Sequence, residues 1–441
     1  MRKAASLLLT AILALSTLAA CQNNTGNQDS ESGTPGVTEI DFWAATNPPQ
    51  EAFWKKVADE FNEENDDIHV NVSQMQESPT SEASVQSAIA GGEAPTFSEN
   101  INRGFAAQLA NSQALVPLNE VEGFDELIES RNMAETIESW EFSDGSQYVL
   151  PIYSNAMLFA WRTDILQDLG FDDIPENYSD VLEVVEALKA SDNEKFLWAK
   201  PDLGSPEGWT RWFDFFMLYN GASDGNNFVE GNELIADDEA GKAVLEFMSQ
   251  LEGENALLTS EASDPFETGL GIFSDLGPWS FPYWSEQFPE MVYGETFELS
   301  GPPVPDGMST DNVKTFADAK GIVFYASATE EEQAAAMEFL TWVYSDPERD
   351  LQWFEETNMP PARDDLTSNE SFNAFLEENP ALIPYAEAVP NGVPPIDNPN
   401  YNDIQTQIGE QAFNPVVRGE KDPEQAWKDM KQAIEGELQN E

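Results

Sequence analysis

Apolar and polar residues alternate in Val37–Trp43 and again in Ile68–Val72, the period-two pattern of half-buried strands. Between them, behind Pro48-Pro49, Phe53, Trp54, Val57, Ala58 and Phe61 recur three and four residues apart. That spacing predicts a helix with one buried face. A further helix is expected over Ser81–Ala90, stopped by Gly91-Gly92. The order strand, helix, strand, helix predicts an α/β fold with a largely parallel sheet.

The pattern continues along the chain. Tyr148–Ile152, Gly271–Phe273 and Gly321–Tyr325 read as strands. Tyr178–Lys189, Trp209–Tyr219, Asp238–Leu251, Glu330–Tyr344 and Pro423–Leu438 read as helices. No internal repeat and no long linker interrupts the sequence after residue 37.

The first residues differ. Arg2 and Lys3 precede Ala4–Ala20, which is apolar apart from Ser6, Thr10, Ser16 and Thr17. This is the form of a secretory signal over residues 1–20, and no other segment approaches the length of a membrane span. Leu18-Ala19-Ala20-Cys21 resembles the bacterial lipobox, which implies cleavage before Cys21 and a lipid on its thiol. Residues 22–36 are rich in Asn, Gln, Ser, Gly and Thr, so 21–37 is expected to be a lipidated flexible tether. The expected location is extracytoplasmic, on a membrane that the chain does not span.

Charge changes the picture further. The 441 residues carry 82 Asp and Glu against 20 Lys and Arg, a formal net charge of −62. Such a field repels nucleic acid, which is set aside as a partner. The acidic residues are spread along the chain, the signature of a solvated surface adapted to high salt or high pH.

Little catalytic chemistry is available. Cys21 is the sole cysteine and His69 the sole histidine, so an intramolecular disulfide and a His-rich metal site are both ruled out. A Ser-His-Asp site would have to use His69, which sits in a strand pattern on the expected solvent face. Asp224-Gly225-Asn226-Asn227 lacks the later ligands of a calcium loop and reads as a turn. No carboxylate pair has a glycosidase motif around it, and no Walker loop is present. No catalytic residue, metal or cofactor is assigned.

Six landmarks stand in order across residues 38–441: Phe42-Trp43 with Trp54-Lys55-Lys56-Val57; Ala88–Pro95; Phe105–Leu109 with Leu115-Val116-Pro117-Leu118; Asp144-Gly145 with Tyr148–Pro151 and Arg162–Leu166; Gly277-Pro278-Trp279; and Met359–Arg363. Together they resemble the family 1 extracellular solute-binding proteins, the class that includes maltose-binding protein. Thr96 stands where that family usually has Asp, and Trp161-Arg162 where it often has Asn-Lys. The resemblance implies a bilobal periplasmic-binding-protein-like fold of type II, two α/β lobes with a hinge and a ligand cleft. It places residues 38–152 plus 317–358 in the N-lobe and 153–316 plus 359–441 in the C-lobe. It also implies a monomeric sugar receptor for an ABC importer, partnered by permease subunits with a separate ATPase. A polyamine receptor or a secreted carbohydrate-active enzyme are the other readings.

Ligands of open α/β sheets bind beyond the carboxyl ends of strands, which selects Trp43, Thr46 and Asn47 after the first strand. A sugar presents C–H faces and hydroxyls, answered by flat aromatics and planar polar side chains. The resemblance adds Asn100, Asn102 and Arg103 after Pro95, and Tyr153 and Asn155 after Pro151. It adds Trp209 and Trp279 as stacking aromatics, Tyr401 as a further aromatic, and Arg363 on the cleft or the hinge.

Overall fold

A computed structural model describes residues 36–439 apart from 79, 192–193 and 206–210. The signal and tether readings, Cys21 and Trp209 lie outside the described residues. β1 (Thr38–Ala44) and β2 (Ile68–Gln74) fall where alternation placed strands, and β3 (Phe97–Ile101), which the pattern did not announce, joins them to open the fold. β4 (Leu150–Pro151), β5 (Asn155–Ala156) and β6 (Leu158–Trp161) follow. β7 (Phe196–Ala199), the hairpin β8 (Val229–Glu230) and β9 (Glu233–Leu234), and β10 (Leu257–Leu258) occupy the middle of the chain. β11 (Gly271–Leu276), β12 (Glu298–Ser300), β13 (Thr315–Asp318), β14 (Gly321–Phe324) and β15 (Gly392–Val393) complete the set.

Two five-stranded sheets define two lobes, in the orders β2-β1-β3-β14-β4 and β10-β7-β11-β6-β12. A small sheet, β15-β13-β5, lies on the chain's path between them. The route β4 to β5 to β6 leads from the first lobe to the second, and β12 to β13 to β14 leads back. The large sheets are mixed rather than largely parallel. β1 runs parallel to β2 and β3, and β7 to β10 and β11, but β14 and β6 oppose their neighbours. Each opposed strand is the one that enters its sheet after a passage from the other lobe, so it arrives from the opposite end.

Aromatic packing ties the sheets to their helices. Phe42 of β1 stacks on Phe97 of β3 at 4.4 Å and meets Trp54 of the helix Pro48–Glu64 edge-on at 4.9 Å. In the second lobe Phe273 of β11 stacks on Phe159 of β6 at 4.3 Å, with Trp198 of β7 edge-on at 5.1 Å. Both arrangements suit the quadrupole of the rings and bury large apolar areas. Helix starts carry side-chain caps: Thr80, Asn177 and Asp237 each accept from the first turn, and Thr329 with Glu332 forms a reciprocal box. Gly92 closes the helix Ser81–Gly91 at φ +70°, a backbone setting that glycine adopts without strain. His69 is exposed, and Asp224-Gly225 make a turn with positive φ at both residues. No helix among the described residues is long and apolar enough to cross a membrane.

Candidate ligand-binding site

The carboxyl ends of β1 and β3 and the β13–β14 junction meet in the first lobe. Glu99 is buried there, its Oε1 accepting from the Ala45 amide at 2.5 Å and its Oε2 from the Trp54 indole at 2.9 Å. Burial pushes its pKa up to about 7, against the pull of those two donors and of Lys320. Asn100 adopts a left-handed conformation, φ +64°, and its Oδ1 accepts from Lys320 Nζ at 2.9 Å. Asn155 pairs with Asp318 across β5 and β13, and its buried Oδ1 has no partner among the described residues. Burial raises the pKa of Asp318, with Lys320 opposing. Tyr153 is buried and stacks on Trp353 at 6.1 Å. Its pKa lies well above the usual range through burial, then Asp318 and Glu99. Asn100 thus joins this charged group through its bond to Lys320, Asn155 through the pairing of its strand with Asp318, and Tyr153 through the fields of Asp318 and Glu99.

Asn102, Arg103 and Tyr401 form another group, joined through Glu82 and the segment 395–397. Asn102 caps its helix through the Phe105 amide at 2.8 Å and donates to Glu82 at 3.2 Å. Tyr401 donates to the same Glu82 oxygen at 2.7 Å, and its ring lies where a Cβ on Gly104 would sit. Arg103 is buried and donates to the carbonyls of Pro395, at 3.0 Å, and Glu141, with Asp397 at 3.9 Å. Its Nε has no acceptor among the described residues. Trp43 is partly buried against the first-lobe core, and Asn47 is exposed at the start of the helix Pro48–Glu64.

Arg363, expected on the cleft or the hinge, is engaged by two carboxylates. It is 3% exposed and donates to Asp350 at 3.0 Å and to Asp365 at 2.8 and 3.1 Å. Each terminal nitrogen and Nε therefore has a carboxylate partner.

In the second lobe Trp279 follows β11 and stands at the start of the helix Ser280–Gln287. Its indole is 46% exposed and folds back over Gly277, where an added Cβ would come within 2.2 Å of the ring. The glycine is therefore required by close approach, not only by the turn. At the ends of β7 and β11, Lys200 Nζ donates to Asp214 Oδ1 and Asp275 Oδ1, both at 2.7 Å. Burial works against the ammonium, but the two carboxylates outweigh it and raise its pKa. Burial pushes Asp214 up to about 8, with Lys200 pulling the other way. Tyr385, on the helix Ile383–Ala388 that packs beside β5, donates to the Leu276 carbonyl at 2.8 Å. That helix links the end of β11 to the small sheet between the lobes.

Sequence reasoning passed over Glu99, Asp318, Lys320, Lys200, Asp214 and Asp275. The acids were hidden among 82 carboxylates, but the lysines were not: with only 20 basic residues, a lysine directly after a strand, as Lys200, or directly before one, as Lys320, stands out.

The sequence profile of the family described as bacterial extracellular solute-binding protein matches residues 56–383. The chain belongs to that family. An uncharacterized protein from Listeria monocytogenes EGD-e is 56% identical, with a TM-score of 0.90, over 91% of this chain and all of that one. The cyclic alpha-maltosyl-1,6-maltose binding protein of Arthrobacter globiformis is 18% identical, with a TM-score of 0.75 over 92% of this chain and all of that one. The sugar-binding protein MalE of Xanthomonas citri is 17% identical, with a TM-score of 0.74 over 91% of this chain and 97% of that one. The bilobal binding-protein fold is common to them. No curated protein matches the sequence.

Proposed function

We propose that this chain is the lipid-anchored receptor of an ABC importer, capturing a sugar or oligosaccharide between its lobes and passing it to the permease. The observation that carries the reading is Trp279, a large apolar face left 46% exposed on a stiff Gly-Pro turn at the carboxyl end of β11. Among the described residues Trp279 is the one tryptophan that is exposed, and a carbohydrate C–H face is the natural complement of an indole. Neighbours in fold support it by the ligands they hold: maltotetraose for a cyclo/maltodextrin-binding protein, and lacto-N-biose for the Bifidobacterium longum protein.

The carboxylates described above weigh against a polyamine ligand. Asp275 and Asp214 are matched by Lys200, and Asp318 and Glu99 lie in the field of Lys320. A polycation would need uncompensated acids. The test is a thermal-shift screen with maltose, maltotriose, maltotetraose, lacto-N-biose and spermidine. A ligand bound only by the native state raises the melting temperature. A rise with at least one sugar and none with spermidine is expected; a response to spermidine alone overturns the reading.

A further inference from the structure

The register of the second sheet brings together two residues that no pattern in the sequence joins. β7 and β11 run parallel, with Gly271 beside Phe196 and Phe273 beside Trp198. One step of two residues further along each strand sets Asp275 beside Lys200. Both side chains then stand on the face of Phe273 and Trp198, since alternate strand residues share a face. The contact is made at 2.7 Å, and Asp214 takes a second ammonium proton at the same distance from the interior.

The three groups differ in access. The Asp214 side chain is fully buried, while those of Lys200 and Asp275 each keep 15% of their surface open. An ammonium has three N–H donors, and two are engaged. Asp275 uses Oδ1 alone; its Oδ2 has no hydrogen-bond partner among the described residues. Among the described residues, one donor and one acceptor are therefore left side by side at the strand ends where ligands of such sheets bind. Two residues after Asp275 comes Gly277, and over it lies the exposed Trp279 indole.

We propose that Lys200 and Asp275 are the polar half of a sugar subsite whose apolar half is the Trp279 indole. Asp275 Oδ2 accepts from one ring hydroxyl and the third Lys200 proton is donated to its neighbour. A vicinal diol, which presents a donor and an acceptor on adjacent carbons, fills both positions at once. Asp214 holds the ammonium in place and completes its internal bonding. Lys200 is already matched by its carboxylate partners, so the cluster offers no free cation to a phosphate or carboxylate and selects uncharged sugars over phosphorylated or carboxylated ones.

The inference rests on the reading of the cleft as a sugar site, and the test separates the two. The wild-type protein is titrated calorimetrically with maltose, maltotriose, maltotetraose and lacto-N-biose. Absence of binding to all four removes the sugar reading and this subsite with it. For a sugar that binds, Asp275→Asn is titrated next, its fold checked by near-ultraviolet circular dichroism. Lys200 keeps Asp214 in that variant. A loss of about tenfold to a hundredfold is expected, the range for a charge-assisted hydrogen bond. Deoxy analogues of the same sugar give the second readout. Wild type should discriminate against the analogue lacking the paired hydroxyl, and Asp275→Asn should bind it and the parent nearly equally. The double variant Lys200→Met/Asp214→Asn removes the cation with its internal partner and should show the same loss. Unchanged affinity and unchanged discrimination in folded variants overturn the subsite while leaving the sugar reading standing.

Discussion

Arg131 and Arg363 close on a single carboxylate, that of Asp350. Arg131 grips both oxygens, donating to Oδ1 at 3.0 Å and to Oδ2 at 3.3 Å, Arg363 donates to Oδ2 at 3.0 Å, and all three side chains are 3% exposed or less. Arg131 also donates to the carbonyls of Pro151 and Ile152 at 2.7 and 2.6 Å. The trio thus fixes the end of β4 to the helix Pro347–Thr357 and to residues 361–365, where Tyr153 bridges Pro361. Removing the shared anion leaves two buried cations facing each other. Asp350→Ala is expected to destabilise the protein by about 3–5 kcal/mol, the cost of breaking a buried pair. Urea unfolding followed by tryptophan fluorescence measures it; a change below about 1 kcal/mol would show the arginines to be satisfied without Asp350.

Glu99 gives a pH dependence whose sign is fixed by its burial. Its pKa rises from 4.5 to about 7 in the folded protein. Between those values the native state holds a proton that the unfolded chain has lost, so this group makes stability fall as pH rises. Below 4.5 both states are protonated and above about 7 both are charged, so the effect is confined to that window. Asp214 and Asp318 act in the same direction, which is why the comparison must be with Glu99→Gln. The variant should gain on wild type through the window, by on the order of 3 kcal/mol, and stay level above it. Equal slopes for the two proteins from pH 5 to 7 would be incompatible with a buried, proton-holding Glu99.

Much of the fold was readable because core strands and helices carry their period in the chain. Phe53, Trp54, Val57 and Phe61 mark a helix face whatever lies beyond it, and all four are buried. The direction of β6 and β14 was not readable, because it depends on the route between lobes and not on local pattern. The site was legible in the same uneven way. Trp279 is announced by Gly-Pro, and its exposure is set by the turn. Arg363 and Tyr401 could be placed near the hinge or cleft, but their partners Asp350 and Glu82 lie 13 and 319 residues away. Lys200 meets Asp275 only through sheet register. A contact separated by 75 residues leaves no trace in composition or spacing.

The net charge of −62 predicts that salt stabilises the protein. Lys and Arg are too few to pair most carboxylates, so the folded surface repels itself. The screening length falls from about 10 Å at 0.1 M to about 3 Å at 1 M ionic strength. Melting temperature is expected to rise over that range of sodium chloride. A flat or falling profile would contradict adaptation to salt.

Cys21 is expected to carry the lipid that holds the receptor at the membrane. Its position after Leu-Ala-Ala is the only place in the sequence where a thiol occurs. Cys21→Ser should release the protein from the membrane fraction, and mass spectrometry of the wild-type N-terminal peptide should show an acylated cysteine. An unmodified terminus elsewhere in the chain would contradict lipidation.

Trp279→Ala tests the stacking surface directly. The indole is 46% exposed and lies against Gly277, so its removal opens no cavity in the hydrophobic core. Stability should change by less than about 1 kcal/mol, as for other surface substitutions. Affinity should respond very differently. A sugar ring stacked on the indole buries apolar area worth on the order of 1–3 kcal/mol, or roughly tenfold or more in Kd. Closure adds a second consequence. If the first-lobe group around Asn100, Lys320 and Asn155 reads hydroxyls while Trp279 holds the ring, the ligand favours the closed state through contacts in both lobes. Loss of the indole weakens that preference, so ligand-induced compaction measured by small-angle scattering should diminish along with affinity. A folded Trp279→Ala variant with wild-type Kd and wild-type compaction would move the site away from this turn, to the first lobe alone.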